Sequence, residues 1–549
     1  MSMTQLSRRN FLKGAGLLTA SAAAAGLMGC ASEPKEEKPS WMPETWDMEA
    51  DIVVAGTGGA GLSAAITVMD EGLGSLIVCE AAPEEERGGN TRVSGQLLFI
   101  PDTPEEAIYY QKNLNGPYTV DEELLQAWAE NLCQNYDWLT YLGADLQPSK
   151  VCNPEYPDIE GSEGCMTYFH EGVLGQSHLW NFLDETAANL GCPIEYNARV
   201  VKLIFNPETK EVFGVQLEDG RCIKAKKGVV LALGGFENNP EMIRDYHAIG
   251  YFDLRPTGTP WNRGDGIKMA QSIGAQLWHM NSSPLAALSA PIAKDCDSVT
   301  GPTWPSKDFI YVGPTSKRYM YEEMQSTNKH GKMVVNGVYV TDPEPCPNYA
   351  IFGQKCFEAG DLFPKSNSVR WCNLVAERLA SDNQGYVDAG VIVKADTVRE
   401  LAEKIGLDPD ILEKTVNDYN GYCEAGVDLE YGRGQDVIGN FAGMHSGEQG
   451  EGTVVVKGFP LVPLEAPFYA LRQYHGVVNT QGGPKRGTKG QVLDTEGNPI
   501  PRLYAAGEFG CIYSYLYNGG GNVSETVSSG RLAAREAGAL TPWDAEEAE

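Results

Sequence analysis

The stretch that decides the fold is Ile52-Val53-Val54-Ala55, then Gly56-Thr57-Gly58-Gly59-Ala60-Gly61, then Leu62-Ser63-Ala64-Ala65-Ile66-Thr67-Val68. An apolar run of strand type feeds a glycine turn, and the turn opens a helix. Gly56 makes the tight turn, Gly58 lets backbone N–H groups approach a pyrophosphate, and Gly61 lets the helix lie close on the strand. With Gly59 and Ala60 in the first helical turn, phosphates would sit at the positive helix end. A second strand, Ser75-Leu76-Ile77-Val78-Cys79, ends at Glu80. An acid about 20 residues beyond the glycines is where a ribose hydroxyl acceptor belongs. An ordinary strand–helix–strand unit with a glycine turn would not explain why an acid closes the second strand. The expectation is α/β, a Rossmann-like dinucleotide-binding domain.

Five hundred and forty-nine residues exceed a single core, and two or three domains are expected. The formal net charge of −31 argues against nucleic acid and against an anionic lipid surface as partners. A small anionic substrate is still compatible with it.

Residues 1–29 read as an address. Ser7-Arg8-Arg9-Asn10-Phe11-Leu12-Lys13 is a twin-arginine signal, and Leu27-Met28-Gly29-Cys30 resembles a lipoprotein cleavage box that would leave a lipid on Cys30. The expected place is the extracytoplasmic face of the cell membrane. Cleavage without lipidation is the alternative. Residues 30–46 form a polar tether. Residues 47–282 are expected to be the first part of the nucleotide domain, 283–455 an inserted clamp, 456–540 the second part of the nucleotide domain, and 541–549 an acidic tail. Helical spacing runs from Glu122 to Leu142 and from His178 to Leu190. A strand is expected at Pro467–Leu471 in the returning domain, with a hairpin at 491–504.

Gly88-Gly89-Asn90-Thr91-Arg92-Val93-Ser94-Gly95 follows the acid, offering small residues and donors to a flat ligand. Further on come Asn197-Ala198-Arg199-Val200, then Val230-Leu231-Ala232-Leu233-Gly234-Gly235-Phe236, then Asn262-Arg263-Gly264-Asp265-Gly266-Ile267, and last Tyr504-Ala505-Ala506-Gly507-Glu508. In this order they resemble the fumarate reductase/succinate dehydrogenase flavoprotein superfamily, from Asp51 to Ala537. The resemblance implies FAD and a clamp over the flavin. It also implies flavin contacts at Ala60, Glu80, Asn90, Thr91, Ser94, Gly95, Val200, Ala232, Gly234, Asp265, Asn479, Gly507, Glu508, Asn522, Val523 and Ser524. The helix from Gly521 to Gly538 should aim its N-terminus at the isoalloxazine.

The chain departs from the fumarate reductase pattern where that branch holds carboxylates. Val478-Asn479 replaces a His pair, Asn518 replaces an Arg, and Tyr349–Lys355 offers Lys355 in place of the clamp Arg. Each missing charged hydrogen bond is worth roughly 1.5–3 kcal/mol, which argues against fumarate or succinate. Tyr517-Asn518-Gly519-Gly520-Gly521 instead resembles the 3-ketosteroid dehydrogenase branch. That resemblance implies a ketone oxygen held by the Tyr517 hydroxyl and the Gly521 N–H. Arg318, Tyr319 and Glu322 are the expected proton-delivery group, with a strand-end salt bridge as the alternative.

The expected function is therefore reduction of a conjugated C=C bond in an apolar or aromatic, enone-like substrate. Electrons would come from a separate membrane cytochrome or quinol system. The alternatives are ketosteroid desaturation, a fumarate- or urocanate-type alkene reductase, and an electron-transfer lipoprotein without turnover. Thirteen cysteines include no CxxC or CxxH pair, so no zinc or c-type haem site is expected. An iron–sulfur cluster would need Cys346, Cys356 and Cys372 to meet.

Overall fold

The computed structural model describes residues 39–545, apart from 150–154, 157–158, 248–252, 323–327, 337, 342–344, 366–368, 440–453 and 457. The signal motif at Ser7–Lys13, the cleavage box at Cys30 and most of the tether lie outside the described residues.

The decisive stretch folds as read. Strand β1 (Met48–Ala55) ends at the glycine turn, a helix runs Gly59–Asp70, and β2 (Leu76–Cys79) pairs parallel with β1, Val54 opposite Val78. From Ile52 onward β1 is buried on every residue, because a parallel strand is covered on both faces. Strand β3 (Ile194–Glu195) continues the sheet beyond β2. On the other side of β1 lies β6 (Cys222–Leu231), which also ends an antiparallel meander with β4 (Val200–Phe205) and β5 (Val212–Leu217).

A second sheet is built on one long strand, β11 (Phe468–Val477). Its first half pairs on one edge with β9 (Asn348–Phe352), which in turn pairs with β8 (Phe309–Val312), and on the other with β10 (Ile392–Ala395). Its second half pairs with β7 (Leu285–Pro291) and with Leu254–Pro256. The strand expected at Pro467–Leu471 is thus longer, and it belongs to the clamp sheet rather than to the nucleotide sheet. Two aromatic stacks on this sheet, Phe352 on Tyr469 at 5.3 Å and Phe357 on Tyr469 at 4.2 Å, reward that pairing. The chain then returns to the first sheet. Strand β12 (Gln491–Leu493) and β13 (Pro499–Ala505) form the expected hairpin, and β13 pairs parallel with β6.

The region expected to be one helix from Glu122 divides at Gln134 into Glu122–Cys133 and Asn135–Tyr141. At the division Asn135 turns inward. Its amide donates to the Ser524 carbonyl at 2.8 Å and its oxygen accepts from Arg531 at 2.7 Å. Both partners belong to the final helix, Gly521–Gly538.

That final helix crosses the first helix with almost nothing between them. A Cβ on Gly530 would lie 2.3 Å from the Ala60 carbonyl oxygen, and a Cβ on Gly59 would lie 2.5 Å from the Thr526 hydroxyl. The contact sets the start of the first helix against the middle of the final one. Gly530→Ala should therefore lower stability by about 1–3 kcal/mol, the usual cost of forcing atoms into a filled core. Denaturant unfolding followed by circular dichroism reads it; an unchanged midpoint would contradict the close crossing.

Candidate functional site

The start of the first helix, the end of β6 and Thr526 of the final helix help enclose one cavity. It is lined by Gly56–Ala60, Glu80, Asn90, Thr91, Val200, Ala232, Gly234, Asp265, Gly507 and Glu508 among the residues singled out from the sequence. The glycines work as expected. A Cβ on Gly61 would strike the Gly56 carbonyl oxygen at 1.8 Å, and Gly56 itself has φ +105°. Thr91 lends its hydroxyl to the Gly59 N–H at 2.9 Å. Glu80 is held rigidly: it accepts from the Thr57 and Ala82 N–H groups, each at 2.8 Å, and from the Thr57 hydroxyl. A carboxylate oriented in this way keeps lone pairs for a ribose. Ser94 is turned into its own loop, donating to the Thr91 carbonyl at 2.9 Å and accepting from the Gln96 N–H at 3.1 Å. Gly95 accepts from Gly175 N–H at 2.9 Å. Asp265 opens a short helix and pairs with Arg199, another lining residue.

Sequence reasoning missed the partner of Glu508. Glu237 accepts from the amides of Asn90 at 2.7 Å and Asn262 at 2.8 Å, while Glu508 accepts from the Thr480 N–H at 3.2 Å. A Cβ on Gly235 would lie 2.5 Å from an oxygen of Glu508 and 2.7 Å from one of Glu237, so the acids flank one point. Burial pushes Glu237 up to about 7; burial and the neighbouring Glu237 raise Glu508 well above the usual range. Glu237 directly follows the quoted Gly234-Gly235-Phe236 turn, and that adjacency was the available signal.

Beyond this pair, several buried polar atoms have no hydrogen-bond partner among the described residues. They are Asn479 Nδ2, Gln481 Nε2, both amide atoms of Asn518, Asn522 Nδ2 and Ser524 Oγ. Cys511 Sγ lies 3.5 Å from the Gln481 carbonyl oxygen and 3.9 Å from Asn522 Oδ1, so two of these residues share a neighbour. Buried polar atoms are almost always satisfied. A flat heterocycle rimmed with N and O atoms, at the N-terminus of the final helix, would satisfy them. Val523 sits half-buried in the same first turn. The residues therefore fit a flavin dinucleotide, with its nucleotide end at the glycines and its ring at Asn479, Asn522 and Ser524.

A second cavity, of about 210 Å³, lies between the nucleotide domain and a three-stranded ribbon of the clamp (Asn328–Lys329, Lys332–Val335, Val338–Thr341). Tyr517 lines it with Tyr515, Tyr118, Ser514, Gln481, His247, His330 and Lys332. His330 packs its ring on Tyr517, centroids 4.6 Å apart, and its Nε2 lies 3.4 Å from an oxygen of the buried Glu155. The lining mixes three tyrosines with polar side chains, and the ribbon brings in residues no local motif announced. Tyr513, by contrast, is buried behind the final helix.

Four expected catalytic residues stand elsewhere or are engaged. Arg318 forms a fork on Glu322 at 2.8 and 3.0 Å and a second on Asp428 at 2.9 and 3.2 Å, while Arg433 bonds Glu322 at 3.1 Å. The side chains of Arg318, Glu322 and Asp428 are fully buried, and Arg318 lies 5.0 and 5.1 Å from the rings of Tyr419 and Tyr431. This is an ion network inside the clamp, the arrangement of the salt-bridge alternative, and Arg318, Glu322 and Asp428 line neither cavity. Tyr319 packs on the clamp core. The Gly521 N–H donates to the Asn518 carbonyl at 2.9 Å, so a ketone oxygen could use it only by taking over that bond.

Arg370 was also missed. It adopts φ +98°, a strained conformation for a residue with a Cβ, and its N–H donates to the Val93 carbonyl at 2.9 Å beside the Ser94 loop. Desolvation lowers its pKa, and the nearby Tyr517 opposes the shift. No sequence signal marked it, since the strain arises where clamp and nucleotide domain meet.

The described residues contain no group of three or more His, Cys, Asp or Glu able to hold a metal ion. Cys356 and Cys372 are separately buried in the clamp, where desolvation pushes both thiols up to about 12. Cys346 does not join them in a cluster.

Fold and site together define a flavin-dependent oxidoreductase. Residues 51–524 match the family described as FAD binding domain, and the chain belongs to that family. It is 27% identical to a digoxin reductase of Eggerthella lenta over 98% of each chain. Its fold is shared with a flavocytochrome c3 fumarate reductase in its open conformation, at 26% identity and TM-score 0.64 over 90% of this chain and 78% of that one. The 3-ketosteroid delta1-dehydrogenase of Sterolibacterium denitrificans matches at 21% identity and TM-score 0.67, over 89% and 99%. The chain is accordingly an FAD-dependent oxidoreductase acting on carbon–carbon bonds.

Two predictions follow from this geometry. Because the folded-state pKa values of Glu237 and Glu508 are raised, their contribution to stability is fully present below the normal carboxyl range and is lost as pH rises, for Glu237 through about 7. The apoprotein should melt at falling temperature from pH 5.5 to 8.5, and Glu237→Gln should flatten that fall; parallel profiles would contradict the shared site. Arg318→Met should cost about 3–5 kcal/mol by stranding two buried carboxylates. The rate of flavin reoxidation per folded protein should stay unchanged, which a rate loss at equal flavin content would contradict.

Proposed function

We propose that the protein reduces a C=C bond conjugated to a carbonyl group, as an exported enzyme fed by an external membrane cytochrome or quinol donor. The observation that carries this reading is the cavity between nucleotide domain and clamp: Tyr517 lines it, four residues before the final helix, and no arginine does. Bound FAD, once reduced by the external donor, would supply a hydride to one alkene carbon, and a proton from solvent would complete the saturated product at the other. Tyr517 would donate its O–H to the carbonyl oxygen, where negative charge develops as the hydride arrives. His330, against the Tyr517 ring and paired with Glu155, would hold that ring in place. The clamp would exclude water from the reacting carbon. The amide of Gly521 remains a second oxyanion donor in this proposal if the Asn518 bond is exchanged for the substrate's.

Export by the twin-arginine route and a lipid on Cys30 rest on the sequence motifs alone. The relative described as a digoxin reductase and the neighbour described as a fumarate reductase support the reducing direction.

Anaerobic reduction with dithionite, followed by addition of conjugated alkenes, tests the reading through recovery of the oxidised flavin spectrum. Tyr517→Phe should slow that recovery by about 10²-fold or more, as loss of an oxyanion donor does. An unchanged rate would remove Tyr517 from the reaction, and no recovery with any alkene would favour a flavin electron-transfer protein without alkene turnover.

A further inference from the structure

Lys332 is the only lysine or arginine among the described residues lining the Tyr517 cavity, and no aspartate or glutamate lines it. The fold goes to some length to put it there. The ribbon turns at His330 and Gly331, both left-handed with φ +51° and +76°. The His330 carbonyl accepts from the Leu285 N–H at 3.2 Å, tying the turn to β7. Tyr515 donates its hydroxyl to the Tyr339 carbonyl and ties the ribbon to the nucleotide domain from the other side. The ammonium of Lys332 then stands 5.1 Å from the Tyr515 ring and donates to the Thr341 hydroxyl at 3.2 Å. An ammonium has three N–H donors, and these contacts contain no anion.

The electrostatics agree. Desolvation alone lowers the pKa of Lys332, with no acidic group opposing it. His247, across the cavity, is pushed down to about 4 by burial and by the charge of Lys332, so it stays neutral. On the same wall, His330 Nε2 already faces an oxygen of Glu155 at 3.4 Å. A half-buried cation without a counter-ion is costly, and an anionic ligand group would relieve it.

We propose that Lys332 is the specificity-determining residue of this cavity and binds a single carboxylate of the substrate. The preferred alkene would thus carry one carboxylate, rather than the two that a pair of arginine forks would hold or the none of a neutral enone. This deepens the function proposed above and rests on the reading that the alkene is reduced in this cavity.

The test separates binding from turnover. Oxidised holoprotein is titrated with propionate and 3-phenylpropionate, which cannot be reduced, and with their methyl esters, while flavin absorbance is followed. At least one acid should bind ten times or more tightly to the wild type than to Lys332→Met, with Lys332→Arg close to wild type and the ester indifferent to all three. Lys332→Gln serves where the Met variant loses flavin. Equal acid affinity in wild type and variants, or an equal loss for acid and ester, would overturn the proposal. In parallel, cinnamate should reoxidise the reduced protein with kcat/KM at least tenfold above methyl cinnamate, and Lys332→Met should erase that preference through KM. If the binding difference stands while no alkene is reduced, the reductase reading falls and the carboxylate site stands.

Discussion

The contact on which everything else depends is backbone against backbone. Gly61 lies on the Gly56 carbonyl, Gly530 lies on the Ala60 carbonyl, and Gly59 faces Thr526. None of these approaches leaves room for a side chain. Their consequence is that the first helix begins at the carboxyl end of β1 and against the middle of the final helix. The start of the first helix suits a pyrophosphate, and the start of the final helix suits the electron-rich edge of a reduced flavin. The sheet supplies stiffness, and the glycines supply proximity.

Around that contact the chain spends many buried charges. Some are closed: Arg318 with Glu322 and Asp428 in the clamp, and Arg486 with Glu525 behind the final helix. These groups match one another, and replacing either partner strands the other, so they set how the clamp and the last helix are held. Others are open. Glu237 and Glu508 are two acids that cannot both ionise cheaply, and Lys332 and Arg370 have no acid against them among the described residues. Glu508 lines the flavin cavity and Lys332 the Tyr517 cavity, while Arg318, Glu322, Asp428, Arg486 and Glu525 line neither.

Locality decided what could be read in advance. The nucleotide half was legible because its determinants are local: glycines, a strand-ending acid and the turn after β6 all lie within a few residues of one another. The Tyr517 motif was legible for the same reason. Arg318 and Glu322 misled because a spacing of four residues suits a fork on one another as well as a pair aimed at substrate, and only Asp428, 110 residues away, decides between them. Lys332, His330 and Glu155 left no local mark. Their meeting depends on a ribbon whose turn is pinned to β7 and on a tyrosine hydroxyl 176 residues from the carbonyl it bonds. The lysine in the cavity wall follows from those long-range contacts, and composition carried no trace of it.

The central claim is that a flavin ring lies against the first turn of the final helix, with Tyr517 across from it in the second cavity. A crystal structure of the FAD-loaded protein with a saturated carbonyl compound bound tests this most directly. The account predicts the isoalloxazine contacting Asn479, Asn522 and Ser524, and the Tyr517 hydroxyl within hydrogen-bond distance of the carbonyl oxygen. A ring seated away from those residues, or a ligand whose carbonyl turns from Tyr517, would contradict it.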